Sequence, residues 1–123
     1  MENKIRTFRD LYAWKEAHLL AVLTYKTVRL FPKEEIYGLV SQMKRAAVSI
    51  SSNIAEGFSR RTGKDKTHFY TMSAGSLTEL QNQFLLAKDL DFISEKQFEE
   101  IDYQIVTVHK LLNALIAKTQ NFT

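Results

Sequence analysis

The residues that could perform metal or acid–base chemistry in this chain are few and lie far apart. The three histidines are His18, His68 and His109. A di-metal helical bundle needs carboxylates and a Glu-x-x-His motif on each of two helices, and only the segment D-K-T-H at 65–68 approaches that motif. The chain has no cysteine, no P-loop and no G-x-S-x-G motif. We therefore predict no catalytic residue, no metal site, no cofactor and no enzymatic activity.

Basic side chains are the other residues with a recognisable chemistry, which is the binding of phosphate. Six of them are the predicted nucleic-acid contacts: Arg6, Arg9, Arg60, Arg61, Lys64 and Lys66. Such contacts bind RNA or DNA with an affinity that depends on salt and little on sequence. The alternative is a solvated charged turn with no ligand, and the net charge of +3 decides little between the two.

Composition places these residues on a helical protein. The 123 residues suffice for one domain, which we expect to cover 1–123. One proline and four glycines leave little material for the turns of a β-protein, and apolar residues recur at three- and four-residue spacing. No run has the length of a membrane span, and the amino terminus lacks the apolar core of a signal peptide. We predict an all-α, cytoplasmic protein with no membrane partner.

Four helices are predicted, at about 8–30, 33–60, 63–90 and 95–118. The predicted apolar stripe of the second helix is Ile36, Val40, Met43, Ala47, Ile50 and Ile54, and that of the fourth is Phe98, Ile101, Ile105, Val108, Leu112 and Leu115. Three begin at a capping box, in which a serine or threonine precedes an acid or glutamine by three positions. The capping residues are Thr7, Thr62 and Ser94. Helices of this length, joined by short turns, favour an antiparallel up-down-up-down four-helix bundle.

The first predicted helix carries more apolar surface than one contact can bury. Its predicted core stripe is Leu11, Trp14, His18, Ala21, Tyr25 and Val28. The run L-L-A-V-L at 19–23 places apolar side chains on every side of the helix. A second buried side implies contact with another subunit. The residues predicted at that oligomer interface are Leu19, Leu20 and Leu23.

The segment 45–57, R-A-A-V-S-I-S-S-N-I-A-E-G, combines an apolar stripe with a neighbouring stripe of small and polar residues, which predicts a close helix–helix contact. A hairpin of the second and third helices places the small residues of 46–49 opposite those of 73–76, where Gly75 would allow close packing. The predicted structural polar contacts are Arg45, Ser49, Asn53, Glu56, Ser76 and Glu79. The register predicts two pairs, Arg45–Glu79 and Glu56–His68. It also places Glu56 and Glu79 several turns apart, too far for an acid–base pair.

Four segments of the chain follow one another as in a known family: Phe8–Lys15, Phe31–Leu39, Gln42–Gly57 and Ala74–Leu80. With them the chain resembles the four-helix-bundle proteins encoded within intervening sequences of bacterial large-subunit ribosomal RNA genes. The accessory variability determinant proteins of diversity-generating retroelements belong to the same family. The resemblance covers nearly all of residues 7–118, with a small departure at Ser51, where the family often has proline. It implies a homopentamer with a central pore, which in the retroelement branch binds a reverse transcriptase and nucleic acid.

Bundle topology assigns the charged residues to two ends. The basic pole holds both chain termini and the turn between the second and third helices, and its eight basic and four acidic residues give a net charge of +4. These are Lys4, Arg6, Arg9, Arg60, Arg61, Lys64, Lys66 and Lys118 against Glu2, Asp10, Glu56 and Asp65. The opposite, acidic pole has five basic and eight acidic residues, a net charge of −3. The acidic-pole residues are Lys26, Arg29, Lys33, Lys88 and Lys96 against Glu34, Glu35, Asp89, Asp91, Glu95, Glu99, Glu100 and Asp102.

In a cyclic oligomer whose subunits point the same way, the basic poles would form one ring. We therefore predict a non-enzymatic, homo-oligomeric accessory protein, expected to be pentameric, that binds the RNA or DNA backbone through its basic pole. The alternative is a protein-binding scaffold for a reverse transcriptase-like or other polymerase-like partner, with no direct nucleic-acid role.

Overall fold

Four α-helices make up the computed structural model, which describes residues 4–121. Their bounds are α1 Tyr12–Val28, α2 Leu39–Phe58, α3 Gly63–Asp89 and α4 Glu95–Gln120. Short 3₁₀ helices, Phe8–Asp10 and Lys33–Glu35, precede α1 and α2. No strand occurs within these described residues, so the prediction of an all-α protein with four helices is confirmed.

The helices pack against one another in chain order. Between α3 and α4, the Gln81 side-chain amide donates to the Asp102 carboxylate at 3.0 Å, and the Lys88 amine lies 4.0 Å from the Glu95 carboxylate, so the two helices run antiparallel. Each helix contacts the next, and α1 also contacts α4. The beginning of α1 and the end of α4 line one shared surface cavity. These contacts are consistent with an up-down-up-down bundle.

The core is built from buried stripes that the sequence pattern predicts best on α2 and α4. On α2 the stripe is Met43, Ala47, Ile50 and Ile54, all without exposed surface. On α4 it is Ile101, Ile105, Val108 and Leu112. Both stripes repeat at three- and four-residue spacing, which brings their members onto one side of a helix.

The beginning of α1 differs from the prediction. Thr7 and Asp10 form the predicted capping box, but the box closes only the 3₁₀ turn Phe8–Asp10. Leu11 is then extended, with φ −75° and ψ 127°, and α1 begins at Tyr12. The Asp10 carboxylate accepts the backbone N–H groups of Arg6 and Thr7 at 2.8 and 3.0 Å, so it holds this separate turn together.

The beginning of α2 also lies later than predicted. Residues Lys33–Glu35 form a 3₁₀ turn, and α2 begins at Leu39. Gly38 interrupts the helix because its ψ of −109° lies outside the helical region. Ile36, which lies before this break, is exposed and does not belong to the core.

The predicted core stripe of α1 was only partly correct, since Leu11, Trp14 and Ala21 are partly buried against the core but do not form its centre. The buried residues of α1 are Ala13, Ala17, Leu20, Thr24 and Val28. His18 and Tyr25 are exposed, and only Val28 of the predicted set is fully inside. The two alanines allow close approach of the neighbouring helices, and the Thr24 hydroxyl is satisfied because it donates to the Leu20 carbonyl at 2.8 Å.

No helix in the described part of the chain is both long enough and apolar enough to cross a bilayer.

Candidate nucleic-acid interface at the basic pole

The basic pole is formed where α2 ends and α3 begins. Helix α2 ends at Phe58, and four residues separate it from the beginning of α3 at Gly63. The Thr62 hydroxyl accepts the Asp65 backbone N–H at 3.1 Å and thus caps the first turn of α3. This short, capped turn places the four basic residues of 60–66 close together in the chain at the junction of α2 and α3.

Arg60 is largely engaged within the chain. Its guanidinium lies 3.2 Å from the Glu56 carboxylate, one turn earlier, and 4.4 Å from the centroid of the Phe69 ring. Glu56 therefore pairs with Arg60, and the predicted Glu56–His68 pair was wrong, since no such ion pair or hydrogen bond forms within residues 4–121. Because Glu56 offsets its charge, Arg60 is less available to a phosphate than the sequence suggests.

Lys66 has a structural role that the sequence pattern did not reveal. Its amine donates to the backbone carbonyl of Phe58 at 2.5 Å and lies 5.1 Å from the centroid of the Phe58 ring. The carbonyls of a final helical turn lack partners within the helix and carry partial negative charge, which a lysine amine satisfies. Lys66 therefore stabilises the end of α2 and is only half-exposed.

Arg61 and Lys64 are the available cations of this turn. Both side chains are exposed, and within the described residues neither forms an ion pair with a carboxylate. Arg61 lies just before α3 and Lys64 lies in its first turn, whose backbone N–H groups carry partial positive charge.

Arg6 and Arg9 lie on the segment that precedes α1. Both are exposed. Asp10 lies beside them, and the two backbone N–H groups that it accepts lower the pKa of its carboxyl, with smaller contributions from Lys15 and Arg9. Since this carboxylate is already occupied by backbone donors, it pairs with neither arginine side chain.

A surface cavity of about 370 Å³ opens between these elements. Its apolar wall is Leu11, Phe58, Tyr70 and Leu115, and its basic residues are Arg61, Lys66 and Lys118. Gly63 and Thr119 complete the lining, which contains no carboxylate. Burial raises the pKa of the Tyr70 phenol. The sequence pattern placed the three cations at one pole but did not predict the cavity. Its lining comes from separate parts of the chain, namely the segment before α1 and the helices α2, α3 and α4.

The contact of α2 with α3 is joined by neutral hydrogen bonds. The buried Ser73 hydroxyl donates to the Ile50 carbonyl at 2.7 Å, and the Ser49 and Ser76 hydroxyls are 2.9 Å apart. The Asn53 amide donates to the carbonyl and hydroxyl oxygens of Ser49 at 2.9 and 3.0 Å. The hydroxyl and amide groups of these residues are therefore engaged in hydrogen bonds that support the packing of α2 against α3.

The predicted Arg45–Glu79 pair was wrong. Within residues 4–121 no ion pair joins them, and Glu79 instead accepts the Gln83 side-chain amide at 3.3 Å. Both predicted partners are exposed, where an ion pair gains little over hydration.

The close approach of α3 to α2 occurs at a different glycine from the one predicted. Gly75 is exposed, and a Cβ atom there would meet nothing within 4 Å. At Gly57 a Cβ atom would lie 2.7 Å from Cε1 of Tyr70 and 3.0 Å from Cβ of Phe69. Gly57 is therefore the residue that allows close contact.

Comparison with known proteins connects this arrangement to a family. Residues 9–114 match the family model of the 23S rRNA-intervening sequence protein. The chain belongs to this family. Its fold is similar to the crystal structure of a protein of unknown function from the S23 ribosomal protein family of Bacteroides thetaiotaomicron, with a TM-score of 0.76 and 20% identity. That alignment covers 85% of this chain and 97% of the other. No protein with a curated description matches.

The predicted oligomer contacts lie on α1. Leu20 was assigned wrongly, because it is completely buried inside the subunit. Leu19 is 55% exposed and Leu23 is half-buried against the core. Val22 and Tyr25 are also exposed, so Leu19 has apolar neighbours on the outer side of α1.

The histidines of this family member lie in unrelated surroundings. His18 stacks on Trp14 with ring centroids 4.8 Å apart, and Trp14 also packs edge-on against Phe8. Burial lowers the pKa of His109, and the nearby Asp102 carboxylate acts in the opposite direction. In the described residues no three His, Asp or Glu side chains come close enough to hold a metal ion.

Proposed function

We propose that this protein is a non-enzymatic accessory protein that binds the phosphate backbone of RNA or DNA through its basic pole. The observation that carries this proposal is the pair Arg61 and Lys64, exposed and without a carboxylate partner among the described residues. A cation that is not neutralised by the protein can replace the counterions of a phosphate and release them, which favours binding.

The surrounding charges support the proposal. Among residues 4–121 the basic pole has eight basic residues and three acidic ones, of which Asp10 is occupied by backbone donors and Glu56 by Arg60. The excess positive charge is therefore not neutralised by these two carboxylates.

Self-association is part of this proposal. The exposed apolar residues Leu19, Val22 and Tyr25 recur at three-residue spacing on α1, as expected for a face that packs against another copy. A pentamer with parallel subunits would gather the basic poles into one ring and multiply their affinity for a polyanion. Light scattering that gives the mass of a single 14.3 kDa chain at micromolar concentration would contradict this part of the proposal.

A scaffold for a polymerase-like protein is the second candidate. It is favoured by the exposed apolar side chains of the connection between α1 and α2, where Leu30 is 82% and Tyr37 96% exposed. These residues lie near the acidic pole, so a protein partner there would not compete with a nucleic acid at the basic pole.

The nucleic-acid proposal is tested by the double variant Arg61→Glu with Lys64→Glu. Neither side chain stabilises the fold through an ion pair, so the variant should fold normally. We expect its affinity for RNA, measured by filter binding at 0.1 M salt, to fall at least about tenfold, and the salt dependence to lose about one unit of slope per phosphate contact.

The matched control is Lys33→Glu with Lys96→Glu, which changes the net charge equally at the acidic pole. If both double variants weaken RNA binding equally, the binding reflects net charge alone. If neither does, the basic pole is not the interface.

A further inference from the structure

The cavity at the basic pole has the composition of a binding site for a small amphipathic anion. Its volume of about 370 Å³ lies within the range of roughly 300–1,000 Å³ that is usual for small-molecule sites. The floor is apolar and contains the ring of Phe58 and the fully buried ring of Tyr70. A site that only attracted phosphate to a surface would need no such apolar floor.

The charges around the cavity select an anion. Arg61, Lys66 and Lys118 line it, and no carboxylate does. Lys66 is already bonded to the Phe58 carbonyl, so Arg61 and Lys118 are the cations that remain for a ligand. Gly63, the first residue of α3, adds the N-terminal end of a 27-residue helix, which favours negative charge.

We propose that this cavity binds one nucleobase together with its attached phosphate, with the base against the partly exposed Phe58 and Leu115 side chains and the phosphate at Arg61 and Lys118. A base provides a flat apolar face for an aromatic side chain, and its phosphate lies one sugar away. The lining contains both kinds of residue that such a ligand needs, apolar side chains and cations. Bases in a duplex are stacked inside the helix and cannot enter such a cavity. The ligand is therefore an unpaired nucleotide, either free or within a single strand, and the second form rests on the proposed function above.

Nuclear magnetic resonance tests the cavity directly with adenosine and uridine monophosphates as probes. We expect both to shift the amide signals of Gly63, Tyr70 and Leu115 in a saturable way, whereas inorganic phosphate shifts Gly63 but not Leu115. Equal effects of phosphate and nucleotide would overturn the proposal, because the base would then contribute nothing.

A cavity-filling variant tests the position of the base without changing charge. Thr119→Trp places an indole in the cavity from the last turn of α4, while Asn113→Trp adds the same side chain at an exposed position of α4 outside it. We expect Thr119→Trp to weaken nucleotide or single-strand binding at least about fivefold and Asn113→Trp to leave it unchanged. Equal affinity of the two variants for every probe would overturn the proposal.

The source of the nucleotide is distinguished with three RNA probes of equal length: a single strand, its duplex, and an abasic strand that retains every phosphate. A strand-bound base predicts that the normal single strand binds at least about fivefold more tightly than the abasic one. Equal binding of all three, with loss in the Arg61→Glu and Lys64→Glu variant, would refute base binding while leaving the phosphate interface intact. Mononucleotide binding in the absence of strand binding would support the cavity and refute the proposed function.

Discussion

Two neighbouring regions of the molecule, the α2–α3 contact and the basic pole, differ in whether the protein provides partners for their polar side chains. At the contact, Ser73 and Ser49 are hydrogen-bonded to the opposite helix. At the pole, Arg61 and Lys64 face solvent without a carboxylate partner in the described chain. Buried polar groups must be satisfied by the protein, because leaving one without a partner costs about 1–3 kcal/mol.

The difference explains why the polar segment 45–57 is structural although its composition resembles that of a site. Its hydroxyl and amide groups bond to one another or to backbone carbonyls. Groups available to a ligand are those that the fold leaves unpaired in an exposed position. The comparison can be tested by substitutions that affect one region and spare the other.

The largest effect on stability is expected at Gly57. Gly57→Ala places a methyl group 2.7 Å from the buried ring of Tyr70, and such overpacking costs about 1–3 kcal/mol. Part of this is offset by the higher helix propensity of alanine, up to about 1 kcal/mol. Urea denaturation should show a net loss. Gly75→Ala, which meets nothing within 4 Å, should instead gain up to about 1 kcal/mol. A gain at both positions would show that α2 and α3 are not in close contact at Gly57.

Ser73→Ala should have the next largest effect. It removes the hydrogen bond to the Ile50 carbonyl without adding volume, so we expect a loss of about 1 kcal/mol in the free energy of unfolding. Ser52→Ala is the control, since Ser52 is exposed on the same helix pair and makes no such bond. If the two variants are equally stable, the bond between the helices adds nothing.

Lys66→Met tests a residue that lies at the basic pole and also bonds to the end of α2. Methionine retains the apolar stem but loses the bond to the Phe58 carbonyl, so stability should fall by about 0.5–1 kcal/mol in thermal unfolding. Lys64→Met removes an equal charge that has no structural partner and should leave stability unchanged while weakening RNA binding. Unchanged stability of Lys66→Met would place Lys66 with the binding cations instead.

Asp10→Asn should have the smallest effect, a small loss of stability that is present at neutral pH and disappears in acid. The lowered pKa of Asp10 in the folded protein means that its carboxylate stabilises the fold above the ordinary pKa of 3.8. This contribution is lost as the pH falls from there through the lowered folded value. Urea denaturation followed by circular dichroism should show the parent more stable than the variant above pH 3.8. The difference in the free energy of unfolding should shrink as the pH falls below that value, because the variant lacks this pH dependence. Asp65→Asn is the control at the same pole, and an identical acid profile for parent and Asp10→Asn would contradict the assignment.

Sequence periodicity was most informative where one face of a helix is clearly apolar. The stripes of α2 and α4 were predicted correctly, apart from Ile36 ahead of α2, because their members repeat without ambiguity along the helix. On α1 the apolar run at 19–23 covers every side, so periodicity could not distinguish Leu20, which is buried, from Leu19, which is exposed. The capping box at Thr7 was predicted correctly because it depends on residues only three positions apart. It gave no information on how far the helix would continue, and Leu11 interrupts it after one turn.

The sequence by itself determined the helical class, the four helices and the concentration of basic residues around the second turn, because each depends on residues close together in the chain. Only the tertiary structure decided which glycine admits a neighbouring helix, which cations remain free and that an apolar cavity lies among them. Those properties depend on atoms that arrive from other helices: Tyr70 against Gly57, the Phe58 carbonyl on Lys66, and Leu11 and Leu115 beside Arg61. The spacing of residues along one helix does not predict these contacts with other helices.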